Sequence, residues 1–351
     1  MPSTYIPGKT SEEVARVYGI KPENIIKLGS NENPLGASPK AVEAIIRHVH
    51  EISVYPSPGY PDLKNAITSY TGFQASRIMV GNGSDDLLNI LIRHLVKPGN
   101  TVVIPIPTYS YYEVIVAAGH GKCVFVNRNS DFSINAENVL DAVTEKTRIV
   151  FICSPNNPTG NIVRKEELVE LLQLTDCFIV LDEAYVEFAS ENYINLVNEF
   201  DNLIVLRTFS KLFGLAGLRL GYAIANESIA SEYNNLTLAF SVNQLAVRAG
   251  VAALSDGQFI EKTLSVVEEG REYLTEKIPF KVYPSEANFM YVDVTPYTSQ
   301  EISEYLLKTG IIVRECSTFR GCGQNAVRIT VGQPWQNIRI VNALSQFLVN
   351  K

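Results

Sequence analysis

The 351 residues exceed what one compact core usually supports, so two domains are expected. Hydrophobic residues make up 46% and charged residues 19%, the balance of a globular enzyme and not of a disordered chain. A net charge of -7 excludes a general nucleic-acid binder, which needs a basic face, while leaving room for a local anion pocket.

The opening residues, MPSTYIPGKTSEEV, lack the apolar core of a secretory signal. Arg93 and Arg219 interrupt the two longest apolar stretches before they reach membrane-spanning length. Cys123, Cys153, Cys177, Cys316 and Cys322 are scattered, with no CxxC pair, and there are four histidines. That pattern predicts reduced thiols in a cytoplasmic protein and no metal-ligand cluster.

Residues 38–50 read as a helix, with Ser38 as N-cap, Pro39 at its first position and Val42, Ile45, Ile46 and Val49 at helical spacing. Valine- and isoleucine-rich runs follow: TVVIPI (101–106), KCVFV (122–126), RIVFIC (148–153), CFIVLD (177–182), NLIVLRT (202–208) and LRLGYAI (218–224). They are apolar on both faces, as strands buried between two helical layers are. Ser84–Val96 and Arg164–Leu174 have helical periodicity between them. This alternation predicts an α/β fold with a mostly parallel central sheet. From about residue 255 a long helical pattern (257–277) and fewer strands predict a smaller α+β domain, with Thr298 and Glu301 as a capping box. The expected division is 1–40 packing with the small domain, 41–250 as the large cofactor-binding domain, and 251–351 as the small domain.

Ligands of open α/β sheets sit beyond the carboxyl ends of the strands. SPNNPTG (154–160), EAY (183–185) and TFSK (208–211) follow three of the strands, and GNGSDD (81–86) opens a helix. Each has a plainer reading: a Ser84 N-cap, a solvated strand end at Asp182, a surface Lys211, and an Arg219 snorkelling from a packed helix. A dinucleotide-binding reading of GNGSDD lacks the third glycine, since Asp86 stands there, and no strong strand precedes it. One chemistry uses all the parts together. Pyridoxal 5'-phosphate needs a lysine for its C4′ carbon, an acid for its ring nitrogen and a cradle for its phosphate. Lys211 and Asp182 fit the first two. Thr208, Ser210 and Arg219, with the amides of Gly83, Ser84 and Asp85, fit the third.

SPNNPTG, LDEAY and TFSKLFGLAGLRLGY, in this order, resemble the fold-type I pyridoxal-phosphate aminotransferases of class I/II. The resemblance implies a transaminase with Lys211, Asp182 and Tyr185 as catalytic residues, working by alternate half-reactions. It implies that Asn157 and Tyr185 contact the ring hydroxyl, and that Tyr109 of PTYSYY stacks on the ring. Tyr55 of VYPSPGY is implied to reach the phosphate of a neighbouring subunit, hence a homodimer with shared sites.

Within the family, YIPGKTSEEV and LGSNENPLG look like the histidinol-phosphate branch, which exchanges an amino group between L-histidinol phosphate and 2-oxoglutarate in histidine biosynthesis. That implies Tyr5, Asn33, Arg314 and Arg328 at the substrate, with Tyr5, Arg314 and Arg328 on its phosphate and Arg328 also taking the α-carboxylate of glutamate. RECSTFRGC (314–322) adds Arg320 and resembles the threonine-phosphate decarboxylases of cobalamin synthesis instead. An aromatic amino-acid aminotransferase is a further alternative. A cofactor-holding regulator without activity would more naturally lack Lys211 or Arg328, and both are present.

Overall fold

The computed structural model describes residues 8–351. Tyr5 lies outside the described residues. In chain order the strands are β1 (Ile26–Lys27), β2 (Ile78–Gly81), β3 (Thr101–Ile106), β4 (Lys122–Asn127), β5 (Thr147–Cys153), β6 (Phe178–Asp182), β7 (Leu203–Thr208) and β8 (Gly221–Ile224). They continue with β9 (Lys281–Val282), β10 (Phe289–Asp293), β11 (Ile311–Ile312), β12 (Arg314–Glu315) and β13 (Ala326–Thr330).

Seven of them form one sheet in the order β2-β8-β7-β6-β5-β3-β4. Only β8 runs antiparallel to its neighbours. The expected mostly parallel sheet is therefore present. Alternate residues fill two separate cores. Val103, Val150, Ile179, Leu181 and Val205 pack on one face. Val102, Ile149, Phe151, Val180 and Ile204 pack on the other. Burial on both faces is why these strands read as continuous apolar runs. Each fully buried Ile, Leu or Val contributes about 1.5–3 kcal/mol relative to exposure.

Three strand expectations change. β2 exists, although only four residues long, and it leads into GNGSDD. β4 is an edge strand and only partly buried, so KCVFV is not shielded on both faces. LRLGYAI shortens to β8, because Ala216–Leu218 form a 3₁₀ turn and Arg219 adopts a left-handed backbone.

Helices Ser84–Leu95, Lys165–Leu174 and Gly257–Lys277 form where their periodicity predicts them. Pro39–His48 starts at Ser38, whose side chain accepts from the Ala41 amide. Its apolar stripe does not face the core, however: Val42, Ile46 and Val49 are exposed. A four-stranded antiparallel sheet, β12-β13-β10-β9, gathers its own core around Met290, Val292, Val327 and Ile329. Near the start of the chain β1 pairs in parallel with β11, Ile26 opposite Ile311. The Thr298–Glu301 capping box is formed.

Candidate active site

Parallel register brings the carboxyl ends of the central strands level, with Cys153 opposite Asp182 and Asp182 opposite Leu206. The polar residues that follow open into one cavity of about 280 Å³. Ser84, Asp85, Tyr109, Asn157, Asp182, Tyr185, Thr208, Ser210, Lys211, Arg219, Arg314 and Arg328 all line it.

Asp182 ends a fully buried stretch of β6. Its Oδ2 accepts from the Tyr112 hydroxyl at 2.6 Å and its Oδ1 from the Ala184 amide at 3.1 Å. Burial raises its pKa to about 6, against the pull of those two donors. Tyr112 itself is buried, stacked on Phe151 with ring centroids 4.5 Å apart. The neighbouring glutamate of LDEAY points the other way. Glu183 Oε2 accepts from Arg207 Nε at 2.9 Å and Nη2 at 2.7 Å, and its Oε1 accepts from the Tyr193 amide.

Lys211 follows β7 on a loop nailed down by Phe209 and Phe213, both fully buried. Its Nζ donates to the Ser30 carbonyl at 3.2 Å and lies 5.5 Å from the Tyr185 ring centroid. The side chain as a whole is only partly buried, yet its amine end is enclosed by the cavity wall. Burial, with Arg328 second, lowers its pKa to about 8.

At one end of the cavity lies the start of helix Ser84–Leu95. Gly83 takes the cap position and no side chain caps the helix, so Ser84 is not its N-cap. The first amides are left for a ligand, as a helix N-terminus offers them to an anion. Gly83 has φ 89°, and a Cβ there would stand 2.8 Å from Arg219 Nη2, inside the cradle. Arg219 is half exposed and pairs with the Asp85 carboxylate at 3.0 Å. Tyr109 also reaches Asp85, at 3.4 Å. The Thr208 hydroxyl donates to Ser210 Oγ at 3.0 Å.

Arg314 and Arg328, which also line the cavity, are both buried. Arg328 donates to Asn157 Oδ1 and, at 2.6 Å, to the Gly29 carbonyl. Its buried Nε has no hydrogen-bond partner among the described residues. Arg314 stands opposite Arg328 in the β12–β13 pairing, and both guanidiniums lie over the Phe319 ring, 5.3 Å and 5.9 Å from its centroid.

Three expected residues lie elsewhere. Tyr55 is 78% exposed and stacks on Phe240, away from the cavity of its own chain. Asn33 sits behind the wall, donating to the Leu212 carbonyl at 2.7 Å and so holding the Lys211 loop. Asn31 takes the place inside, donating to Tyr185 Oη at 3.0 Å. Arg320 turns out of the cavity to Glu113. Sequence reasoning missed Tyr112 and Asn31, although PTYSYY and SNEN contain them. Only the pitch of helix Tyr111–Ala118 and a left-handed turn at Asn31 (φ 55°) distinguish them from their neighbours.

The sequence profile of the family "Aminotransferase class I and II" matches residues 23–344. The chain belongs to that family. This aminotransferase is 52% identical over 340 residues to the histidinol-phosphate aminotransferase of Methanosarcina mazei, covering 97% of this chain and 92% of that one. Its fold is similar to the histidinol-phosphate aminotransferase of Sinorhizobium meliloti, solved in complex with pyridoxal-5'-phosphate (27% identity, TM-score 0.89, 97% of this chain and 95% of that one). It is also similar to the L-threonine-O-3-phosphate decarboxylase of Porphyromonas gingivalis (25% identity, TM-score 0.79, 92% and 99% covered). The family's cofactor is pyridoxal phosphate. The cavity of this aminotransferase fits it: uncapped amides and an arginine at one end, a buried carboxylate and an enclosed lysine beyond.

Proposed function

We propose that this aminotransferase exchanges the amino group of L-histidinol phosphate with 2-oxoglutarate, giving imidazole acetol phosphate and L-glutamate in histidine biosynthesis. The observation that carries the reading is the buried pair Arg314 and Arg328, opposite each other in the β12–β13 pairing and lining the same cavity as the cofactor-phosphate cradle. Forked guanidiniums suit a phosphate in one half-reaction and a carboxylate in the other. Relatives that carry that activity in their names support it.

When bound, pyridoxal phosphate supplies an electron sink for the carbanion at the substrate Cα. Gly83, Ser84 and Asp85 offer amides to its phosphate, with Thr208, Ser210 and Arg219 around them. Asp182 would serve the ring nitrogen and hold a proton there. Asn157 and Tyr185 would serve the ring hydroxyl, and Tyr109 would cover the ring. Lys211 would anchor the cofactor and move the substrate Cα proton at Nζ, a task its lowered pKa favours. Asn31 orients the Tyr185 hydroxyl.

A cytoplasmic homodimer with shared sites belongs to the same reading. Tyr55, Phe240, Val54, Ile52, Ile46 and Leu238 leave an apolar surface exposed, of the kind a partner subunit covers. The five cysteines are free thiols, as in a reducing compartment. No helix among the described residues is long and apolar enough to cross a membrane. The division into a segment of 1–40, a large domain of 41–250 and a small one of 251–351 is supported by the separate sheet and core of the C-terminal part. The β1–β11 pairing supports assigning the first segment to it.

The deciding experiment incubates purified, cofactor-loaded protein with L-histidinol phosphate and 2-oxoglutarate, and separately with threonine phosphate. Glutamate formation from the first mixture is expected. Carbon dioxide from the second, with none of the first product, would give the decarboxylase reading. Arg320, whose presence suggested that alternative, is outside the cavity, which favours transamination.

A further inference from the structure

The segment between β12 and β13 crosses from the small sheet to the large one. Its 3₁₀ turn, Cys316–Thr318, leads to Phe319, which lines the cavity against the guanidiniums of both Arg314 and Arg328. The next residue leaves the cavity. Arg320 donates from Nε to Glu113 Oε1 at 2.8 Å and from Nη2 to Glu113 Oε2 at 3.0 Å. Its guanidinium also lies 4.4 Å from the centroid of Phe125 on the edge strand β4. Glu113 is on helix Tyr111–Ala118, whose Tyr112 holds Asp182. A two-pronged, stacked contact thus joins the segment carrying Phe319 to the helix that supports the acid of the cofactor site.

We infer that Arg320 is a positioning residue for the two buried arginines of the cavity: by gripping Glu113 and Phe125 it fixes the Phe319 ring, over which the guanidiniums of Arg314 and Arg328 both lie, and so sets their orientation, their Cα spacing being fixed by the β12–β13 pairing. The geometry gives it this role through shape. A forked guanidinium fixes both distance and plane on a carboxylate, which a single ammonium cannot do. Phe319 is the residue immediately before it, so slack at Arg320 is passed to the ring without an intervening joint. The partner lies 207 residues away in sequence, which makes the grip a tertiary tie and not a local turn. The charged groups facing the contact are few: Glu113 is its acid partner, and Cys123 is the neighbouring titratable group. The Arg320 side chain is 51% exposed, so this contact tunes the site and does not hold the fold together.

The inference rests on the reading of Arg314 and Arg328 as the substrate-anion site. Its test compares the cofactor-loaded wild type with Arg320→Gln, Glu113→Gln, Arg320→Lys and the reversed pair Glu113→Arg with Arg320→Glu. Two readouts are taken: KM and kcat for L-histidinol phosphate, and the affinity for inorganic phosphate by calorimetry. Each neutralising variant is expected to weaken both KM and phosphate affinity by about fivefold to tenfold, the scale of one exposed forked pair with a stacked cation. Turnover number, cofactor absorbance and melting temperature should stay at wild-type values. The lysine variant should recover part of the loss, and the reversed pair most of it. Unchanged KM and phosphate affinity in both neutralising variants would overturn the inference. So would equal losses in kcat and cofactor affinity, which would mark a general structural role. A wild type that makes no product from histidinol phosphate would instead refute the substrate assignment. The calorimetric comparison would still judge Arg320 in that case.

Discussion

The hydroxyl of Tyr112 donates to Oδ2 of Asp182 at 2.6 Å, from a ring that has no exposed surface. The buried carboxyl of Asp182 is therefore itself held in place. The Ala184 amide occupies the other oxygen, and a carboxylate with both oxygens engaged cannot rotate away from the cavity. Near Tyr112 the buried guanidinium of Arg128 donates to Asn156 Oδ1 and to the Phe132 carbonyl.

Replacing Tyr112 with phenylalanine keeps the ring and removes the donor. A hydrogen bond to a charged group is worth about 1.5–3 kcal/mol, so cofactor affinity should fall at least about tenfold. A spectroscopic titration of cofactor-free protein measures it. Wild-type affinity in the variant would show that Asp182 needs no such support.

The pH dependence follows from Asp182 as well. Its pKa in the cofactor-free fold is about 6, against about 3.9 for an unperturbed aspartate. Between those values the folded protein keeps a proton that the unfolded chain has lost. The stability contributed by the neutral carboxyl is thus complete below pH of about 4 and disappears as pH rises through about 6. Cofactor binding has the opposite trend, because a protonated ring nitrogen wants the ionised acid: affinity should climb as pH rises through about 6. Asp182→Asn should flatten that step; its persistence in the variant would assign it to another group.

Lys211 titrates near 8, well below the usual value of about 10.4 for lysine. Its amine must be neutral to capture the cofactor, so the loading rate should increase with pH through about 8. Lys211→Ala should abolish turnover and the yellow colour of the loaded protein. Stopped-flow absorbance across pH reads the first expectation and steady-state assays the second. Normal turnover without Lys211 would remove it from the chemistry.

Glu183 and Arg207 form an almost fully buried ion pair directly behind the site. Glu183→Gln leaves a buried guanidinium without its hydrogen-bonded counter-charge, with only the more distant carboxyl of Glu187 near it. The expected loss is about 3–5 kcal/mol of stability, read as a lowered urea midpoint. The cofactor spectrum of the folded fraction should not change, since Glu183 faces away from the cavity. A midpoint equal to wild type would show that water or a rearrangement compensates the cation.

Much of this architecture is legible in the chain itself. Runs such as RIVFIC and CFIVLD have no polar face, which only a strand covered on both sides explains, and the polar residues after them fall together in space. What stayed hidden depends on direction and partner. IMVG is too short to declare itself as β2. Nothing in SNEN says that Asn31 turns inward while Asn33 braces a loop, because a left-handed backbone decides it. Tyr111 and Tyr112 differ only by a rotation about a helix axis. Arg320 reads as another anion ligand until Glu113 is seen beneath it. Tyr55 stacks on Phe240 at the surface, outside the cavity lining, which VYPSPGY alone does not show.

The asparagine at position 31 exchanges hydrogen bonds with Thr330, 299 residues later, and Arg328 closes on the Gly29 carbonyl. A polypeptide halted on the ribosome before β13 already contains Asp182 and Lys211, but one wall of their chamber has not yet been made. Biosynthesis must run almost to its last helix before the enzyme can assemble its catalytic room, so premature termination yields inert fragments and not crippled transaminases.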